Sequence, residues 1–291
     1  MSTILQQLIN SVSVGGLYAL LAVGYALIYS VFDFTNFAFG GIMMVSAFAG
    51  YFSTQLGLGT IPAMFVAIVA GVALSVAVEL LAYRPMRKRN AKRLFLMISA
   101  MGVNIFLTNL FLCVFGANLR TLPSGFASNT ITLWGVQVGT VDIVAFITSA
   151  ISLAILCFFL YKTRSGIAVR ASAIDMSTAG IMGINVNRIS LIVFVISGIT
   201  AAIAGMFFGM KYTVYPGMGA MSNKAFIASV IGGLGSLPGA VLGGFVLGIL
   251  EVLVTGYISA TYRDLFSFGA MIIVLMFMPN GLIGKGDQNK L

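Results

Sequence analysis

The chain has 291 residues, a net charge of +9, 59% hydrophobic residues and only 8% charged ones, with a mean hydropathy of +1.06. A soluble domain carries roughly a quarter of its residues as charges, so a water-soluble globule is excluded. There is no histidine, which removes His-based catalysis and His metal sites.

Uncharged runs recur over residues 34–78, 94–119, 143–161, 189–210, 225–250 and 265–284. A helix needs roughly 20 such residues to cross about 30 Å of hydrocarbon, and it satisfies its own backbone polar groups there. The expectation is one all-α, polytopic membrane domain over residues 1–291.

Residues 1–10 have no basic start, and the apolar run 12–31 is long for a cleaved leader, so it reads as the first span. Two more spans are expected near 37–57 and 62–83. Between the first two lies "FDFTNFAFGG", with Asp33, Thr35 and Asn36 before a glycine pair. It is either a loop or a helix break carrying Asn36 into a transport path. The first 83 residues contain no Lys or Arg; then "RPMRKRNAKR" (84–93) brings six of the 16 basic residues. By the positive-inside rule it is cytoplasmic, and it suits anionic lipid headgroups. No domain is present to host nucleic acid.

Spans near 94–116 and 140–161 follow, leaving 117–139 outside. On the first, Asn104 and Thr108 are four residues apart and share a helix face, so they are candidate path residues. Cys113 and Cys157 sit in apolar spans and read as small buried hydrophobes rather than a disulfide. Next comes a polar, small-residue island, "RSGIAVRASAIDMSTAGIMGINVNR" (164–188). Asp175 is a good N-cap and Gly183 a natural left-handed stop, with about two helical turns between them. A mere connector would be shorter, so this cytoplasmic element, 162–188, reads as a docking site for a partner.

The span 189–210 carries a small-residue packing face, Ala201, Gly205 and Gly209. Residues 225–256 are interrupted by "GGLGSLPGAVLGG", a break rather than a continuous helix. Transporters use such breaks in their pathways, which makes Gly232, Gly233, Gly235 and Ser236 candidate path or gate residues. Glu251 would be costly in lipid and should face the interior. After a last span within 265–284, Lys285 and Lys290 place the C-terminus inside. The count is about eight spans plus a broken or re-entrant segment, eight to ten in all, with the N-terminus outside. "GLIGKGD" lacks the Ser or Thr of a phosphate loop, so the chain does not hydrolyse ATP. No catalytic residue, metal ligand or cofactor is expected in it.

The stretches "VGGLYALLAVGYALIYSVFDFTNFAFGGIMMVSAF", "GIAVRASAIDMSTAGIMGINVNRI" and "AFIASVIGGLGSLPGAVLGGFVLG" together resemble the membrane-permease subunit of branched-chain (hydrophobic) amino acid ABC importers. The resemblance implies a second permease subunit, two cytoplasmic ATPase subunits that bind ATP and Mg, an extracytoplasmic substrate-binding protein, and a prokaryotic plasma membrane. It places the ATPase-coupling loop on Arg170, Ala173, Asp175, Ala179 and Gly183. One departure is Phe39 in "NFAFG", where the family commonly has His. Alternatives are a permease for urea, short amides or sugars, and, in another class, a secondary transporter or channel. Neither of the latter needs the 164–188 island.

Overall fold

The computed structural model describes residues 2–89, 91–123, 130–133 and 136–284, with side chains described from residue 6 onward and outside 130–137. Lys285 and Lys290 lie outside the described residues, and the 117–139 segment is described only in part. Helices α1 (Ser2–Phe32), α2 (Phe39–Gln55) and α3 (Thr60–Val78) come first. A π-helical turn, Glu79–Tyr83, joins α3 to α4 (Arg84–Lys88). Helix α5 (Arg93–Phe115) precedes an antiparallel hairpin of β1 (Thr130–Leu133) and β2 (Val136–Gly139). Then follow α6 (Thr140–Lys162), α7 (Arg164–Ile174), α8 (Met176–Ile181), α9 (Val186–Lys211), α10 (Ser222–Gly232), α11 (Leu237–Tyr257) and α12 (Arg263–Phe277). Among the described residues the fold is thus all-α apart from that hairpin. Among the described residues, seven helices are long and apolar enough to cross a membrane; α2, at 17 residues, and α10, at 11, are shorter.

Helix α1 is apolar on every side and lies at the centre, as an all-round hydrophobic helix must; its residues from Leu17 to Ile28 are buried. It packs on α11 by direct backbone contact. A methyl at Gly244 would lie 2.4 Å from the Ala19 Cα, and one at Gly248 2.4 Å from the Gly15 Cα. In lipid no hydrophobic drive pulls helices together, so close approach through small residues supplies the van der Waals attraction instead. Helix α9 uses the small face expected from sequence: a methyl at Gly205 would sit 2.5 Å from the Met43 carbonyl oxygen of α2.

The basic side of the bundle gathers the end of α1 with α4, the start of α5 and the start of α9. Arg87 forms a buried ion pair with Glu79, donates to the Ser190 hydroxyl (3.1 Å) and lies over the Phe32 ring. Arg93 pairs with Asp33 at 2.7 Å. Asp33 itself takes a positive φ of 53°, which turns the chain back inward after α1.

Helices α2 and α10 both begin inside the bundle. Phe39 stacks on Tyr25 at 4.7 Å, Tyr25 donates to the Ser222 hydroxyl (3.4 Å), and Gly40 abuts Gly219. Tyr25 lies seven residues before the end of α1, about 10 Å along its axis. The irregular segments 33–38 and 212–221 therefore lead from the two ends of the bundle in to this depth. The glycine-rich break instead forms a tight hairpin at the α1 C-terminal end, beside Tyr29 and Ser30. Cys113 and Cys157 are exposed on outward helix faces; the expectation that they are buried is corrected, because α5 and α6 are peripheral helices that turn those faces outward.

If the basic side is cytoplasmic, as the positive-inside rule assigns, single cysteines at Lys88 and Ser177, in a background lacking Cys113 and Cys157, resist an impermeant thiol reagent applied to intact cells. A cysteine at Leu119 reacts. Labelling of position 88 from outside reverses the orientation.

The hairpin yields a second prediction. A methyl at Gly232 would sit 2.0 Å from the Gly239 carbonyl oxygen, whereas at Gly235 (φ 83°) the nearest atom is 3.7 Å away. Gly232→Ala should block closure of α10 on α11 and cut the yield of folded protein in the membrane. Gly235→Ala should cost only left-handed strain, about 1–2 kcal/mol, visible as a modest fall in melting temperature with transport retained.

Candidate functional site

The polar island folds as a capped helical hairpin, α7 and α8. Thr163 caps α7 by accepting from the Gly166 N–H (3.0 Å). Asp175 caps α8: its Oδ1 accepts from the Ser177 N–H (2.8 Å) and the Thr178 N–H (3.2 Å). Hydrogen bonds from the Ser177 and Thr178 hydroxyls, then from those backbone amides, hold the Asp175 carboxyl far below the usual carboxylate range. At Gly183, φ is 88°; its N–H bonds the Gly180 carbonyl (3.1 Å) and the Ile184 N–H bonds the Ala179 carbonyl (3.0 Å). This paired pattern is a Schellman stop, and Asn185 begins α9 by accepting from the Arg188 N–H.

The exposed surface of this hairpin is apolar where it is most prominent: Ile174, Ile181 and Met182 are 82%, 86% and 79% exposed. Arg170 lies over the Tyr161 ring at 4.7 Å, and Ala173 is half-buried. Ala179 faces inward and is buried. It is therefore packed within its own subunit, which corrects its expected place on the outward contact.

The residues expected on a path are dispersed. Asn36 is buried; its Oδ1 accepts from the Tyr83 hydroxyl (2.6 Å) and the Ala38 N–H (3.1 Å), while its Nδ2 has no partner among the described residues. Asn104 and Thr108 are half-buried on α5, with the Asn104 oxygen facing Gly41 and likewise unpartnered among the described residues. Gly232 and Gly233 are buried in backbone packing, Gly233 against Asn280 and Gly284. Gly235 occupies the turn, and Ser236 caps α11 by accepting from the Gly239 N–H. These four thus build the hairpin, on the basic side and away from Asn104.

Sequence reasoning missed a buried ionic cluster. Glu251, 2% exposed, accepts from the Tyr18 hydroxyl (2.7 Å) and the Ser267 hydroxyl (3.0 Å). Lys224 lies 2.7 Å from Glu251 and 2.9 Å from Asp264, and Arg263 approaches Glu251 at 3.8 Å. Nearby, Asp142 at the start of α6 pairs with Lys211 at the end of α9 and accepts from the Ser13 hydroxyl (2.9 Å). Lys211, Lys224 and Arg263 read as isolated charges in the sequence; the usable signal was that each flanks or interrupts an apolar run, where a lone charge needs a partner. Among the described residues no group of three or more acids, cysteines or histidines could hold a metal ion.

Comparison with known proteins decides the family. Residues 7–275 match the family described as branched-chain amino acid transport system / permease component. The chain belongs to this permease family. It is 37% identical to the high-affinity branched-chain amino acid transport system permease protein LivH of Escherichia coli K12, covering 99% of the chain and 97% of that protein. It is 35% identical to BraD of Pseudomonas aeruginosa, a permease of the same description, covering 99% and 98%. The archaeal probable branched-chain amino acid permease of Methanocaldococcus jannaschii shares 30%, over 94% of the chain and 90% of that protein. In fold the chain resembles a chain of PsaBC from Streptococcus pneumoniae in complex with Fab (TM-score 0.54, 15% identity, 96% and 93% covered). It also resembles an inward-facing putative metal-chelate type ABC transporter (TM-score 0.56, 14% identity, 95% and 88% covered). The permease is a multi-pass prokaryotic membrane protein.

The caps make a checkable statement about the α7–α8 hairpin. Because the Asp175 pKa is depressed, its capping contribution is full above the ordinary carboxylate pKa of about 3.9 and is lost only as pH falls through the folded value. Amide exchange protection over Met176–Ile181 should therefore be the same at pH 8 and pH 5, after correction for intrinsic rates. Asp175→Ala should speed exchange there at both pH values while leaving α6 and α9 unchanged.

Proposed function

We propose that this permease is the membrane subunit of an ATP-driven importer for branched-chain, hydrophobic amino acids. It pairs with a second permease subunit, identical or related, and receives substrate from an extracytoplasmic binding protein. Two cytoplasmic ATPase subunits, which carry ATP and Mg, drive it by alternating access. The named relatives support the substrate class.

One observation carries the coupling half of the reading: the α7–α8 hairpin holds Ile174, Ile181 and Met182 almost fully exposed on the basic side. Three apolar side chains on a doubly capped, rigid knob are costly in water. They gain when a groove on another protein covers them, in the manner of a helix lodged in an apolar cleft. The basic side is then cytoplasmic, where ATPase subunits reside. Phe39 is buried against Tyr25 and fills space rather than offering a titratable group.

Ile181→Asp tests this. The side chain touches little of its own subunit, so insertion and melting temperature should hold. Loss of a central apolar contact typically costs more than about 2 kcal/mol, roughly thirtyfold in assembly. The variant should lose ATPase subunits on purification and lose ATP-dependent leucine uptake in proteoliposomes. Ala179→Glu, by contrast, disturbs the subunit itself and should lower its melting temperature. If the permease without ATPase subunits accumulates leucine on a proton or sodium gradient, the importer reading gives way to a secondary transporter.

A further inference from the structure

Between the N-terminal half of α1, the start of α6, the end of α9, the end of α11 and the start of α12 lies a cavity of about 370 Å³. That volume is within the range of about 300–1,000 Å³ typical of small-molecule sites. It sits at the end of the bundle opposite the basic loops, the side from which a delivered substrate arrives. Four of its lining residues are charged: Asp142, Lys211, Glu251 and Arg263; Asn10 and Thr255 add uncharged polar groups.

We propose that this cavity is a substrate waypoint that takes a zwitterionic α-amino acid. The inference rests on the reading of the chain as an amino acid permease and adds the place and the chemistry. The argument begins with charge balance. The chain has only seven acidic residues, yet two of them meet two cations around one small cavity. The set is neutral in sum but strongly dipolar. Among part-buried charges that already balance one another, a ligand with a single charge leaves one of them uncompensated, at a cost. A ligand without charge, such as urea or a sugar, cannot repay the displacement of water from four ionised groups. A zwitterion matches both signs at once.

The groups are also poised for exchange. Arg263 approaches Glu251 at 3.8 Å, longer than a hydrogen bond, and its side chain is 28% exposed, so its guanidinium can reach a ligand carboxylate in the bidentate manner. The Asp142 carboxylate holds Lys211 and accepts from Ser13 through Oδ1, and its side chain is 20% exposed, so it is accessible to an ammonium group. Val14 and Val252 supply apolar wall for an aliphatic side chain. Glu251, held by Tyr18, Lys224 and Ser267, is a fixed part of the frame. Arg263 and Asp142 are the proposed ligand contacts.

The test uses the purified transporter complex, permease with ATPase subunits and without the binding protein, so that any protection comes from the permease. In a background lacking Cys113 and Cys157, Thr255→Cys is modified with a methanethiosulfonate; Asn10→Cys serves as a second reporter if the first does not assemble. L-leucine should slow modification severalfold. L-leucinol, which lacks the carboxylate, 4-methylpentanoate, which lacks the ammonium, and urea should not. Arg263→Gln should raise the half-protecting leucine concentration by about tenfold or more, the scale of one charged hydrogen bond, and Arg263→Lys should recover part of it. Equal protection by leucinol, 4-methylpentanoate or urea overturns the zwitterion assignment, and absence of protection by leucine overturns the site. ATP-dependent leucine uptake, measured on the same complex with the binding protein added, separates the two readings. Uptake without protection sinks the waypoint alone; no leucine uptake by the wild-type complex sinks the amino acid reading with it.

Discussion

The antiparallel contact of α1 with α11 is the constraint on which the rest of the bundle depends. Gly244 and Gly248 bring the α11 backbone into direct contact with Ala19 and Gly15, leaving no room for a side chain between them. That approach, with α6, α9 and α10 around it, buries α1 from Leu17 to Ile28. It also sets the depth of everything attached to α11. Glu251 lies one turn beyond Gly248, and the register of the contact delivers its carboxylate to the Tyr18 hydroxyl. A sliding of α11 along α1 by one turn, about 5.4 Å, would leave that carboxylate facing apolar groups. Packing through small residues and pairing of the buried acid thus specify the same register.

Such a cluster is retained at a cost. Moving an ion pair out of water is often no better for stability than an apolar contact of the same shape, whereas breaking it leaves a charge stranded, at about 3–5 kcal/mol. Glu251, Lys224 and Arg263 therefore penalise wrong arrangements of α10, α11 and α12 more than they reward the right one. Helix α10 is only 11 residues long and enters from within the bundle. It has little propensity of its own to fix its position, and Lys224 at its start ties it to α11 and α12.

Most elements were legible from apolar runs. Expected spans at 62–83, 94–116, 140–161 and 189–210 compare with a helical stretch at 60–88 and helices α5, α6 and α9 at 93–115, 140–162 and 186–211. The caps at Asp175 and Gly183 were legible too, since capping is set by residues within one turn. What was not legible is whatever long-range contact decides. The glycines at 232–236 announce a break, but only the seating of that turn beside Tyr29 and Ser30 places it at the bundle's edge. The start of α2 at depth depends on Gly40 meeting Gly219, far away in sequence. Ala179 and Ile181 lie two residues apart on one short helix; the sequence offers no ground for choosing which is buried and which faces outward. The partner of Asp142 is a lysine 69 positions later, which no local pattern announces.

The two helices that flank the coupling hairpin connect these features. Helix α6 enters it through the Thr163 cap, and α9 leaves it through the Asn185 cap. Their opposite ends, 23 and 26 residues away and so roughly 35–39 Å distant, are joined by the Asp142–Lys211 ion pair. The hairpin, α6 and α9 therefore form a frame closed at both ends, with α1 packed against both helices. Under the proposed mechanism, an ATPase subunit that displaces the hairpin tilts α6 relative to α9. The displacement is felt at the far end as strain on one ion pair, because packed helices transmit shifts rather than absorb them. That ion pair lines the cavity proposed to hold the amino acid. A substrate ammonium that shares the Asp142 carboxylate with Lys211 would weaken the same closure from the other side. Coupling between sites must be reciprocal, and a single shared carboxylate is sufficient to make it so.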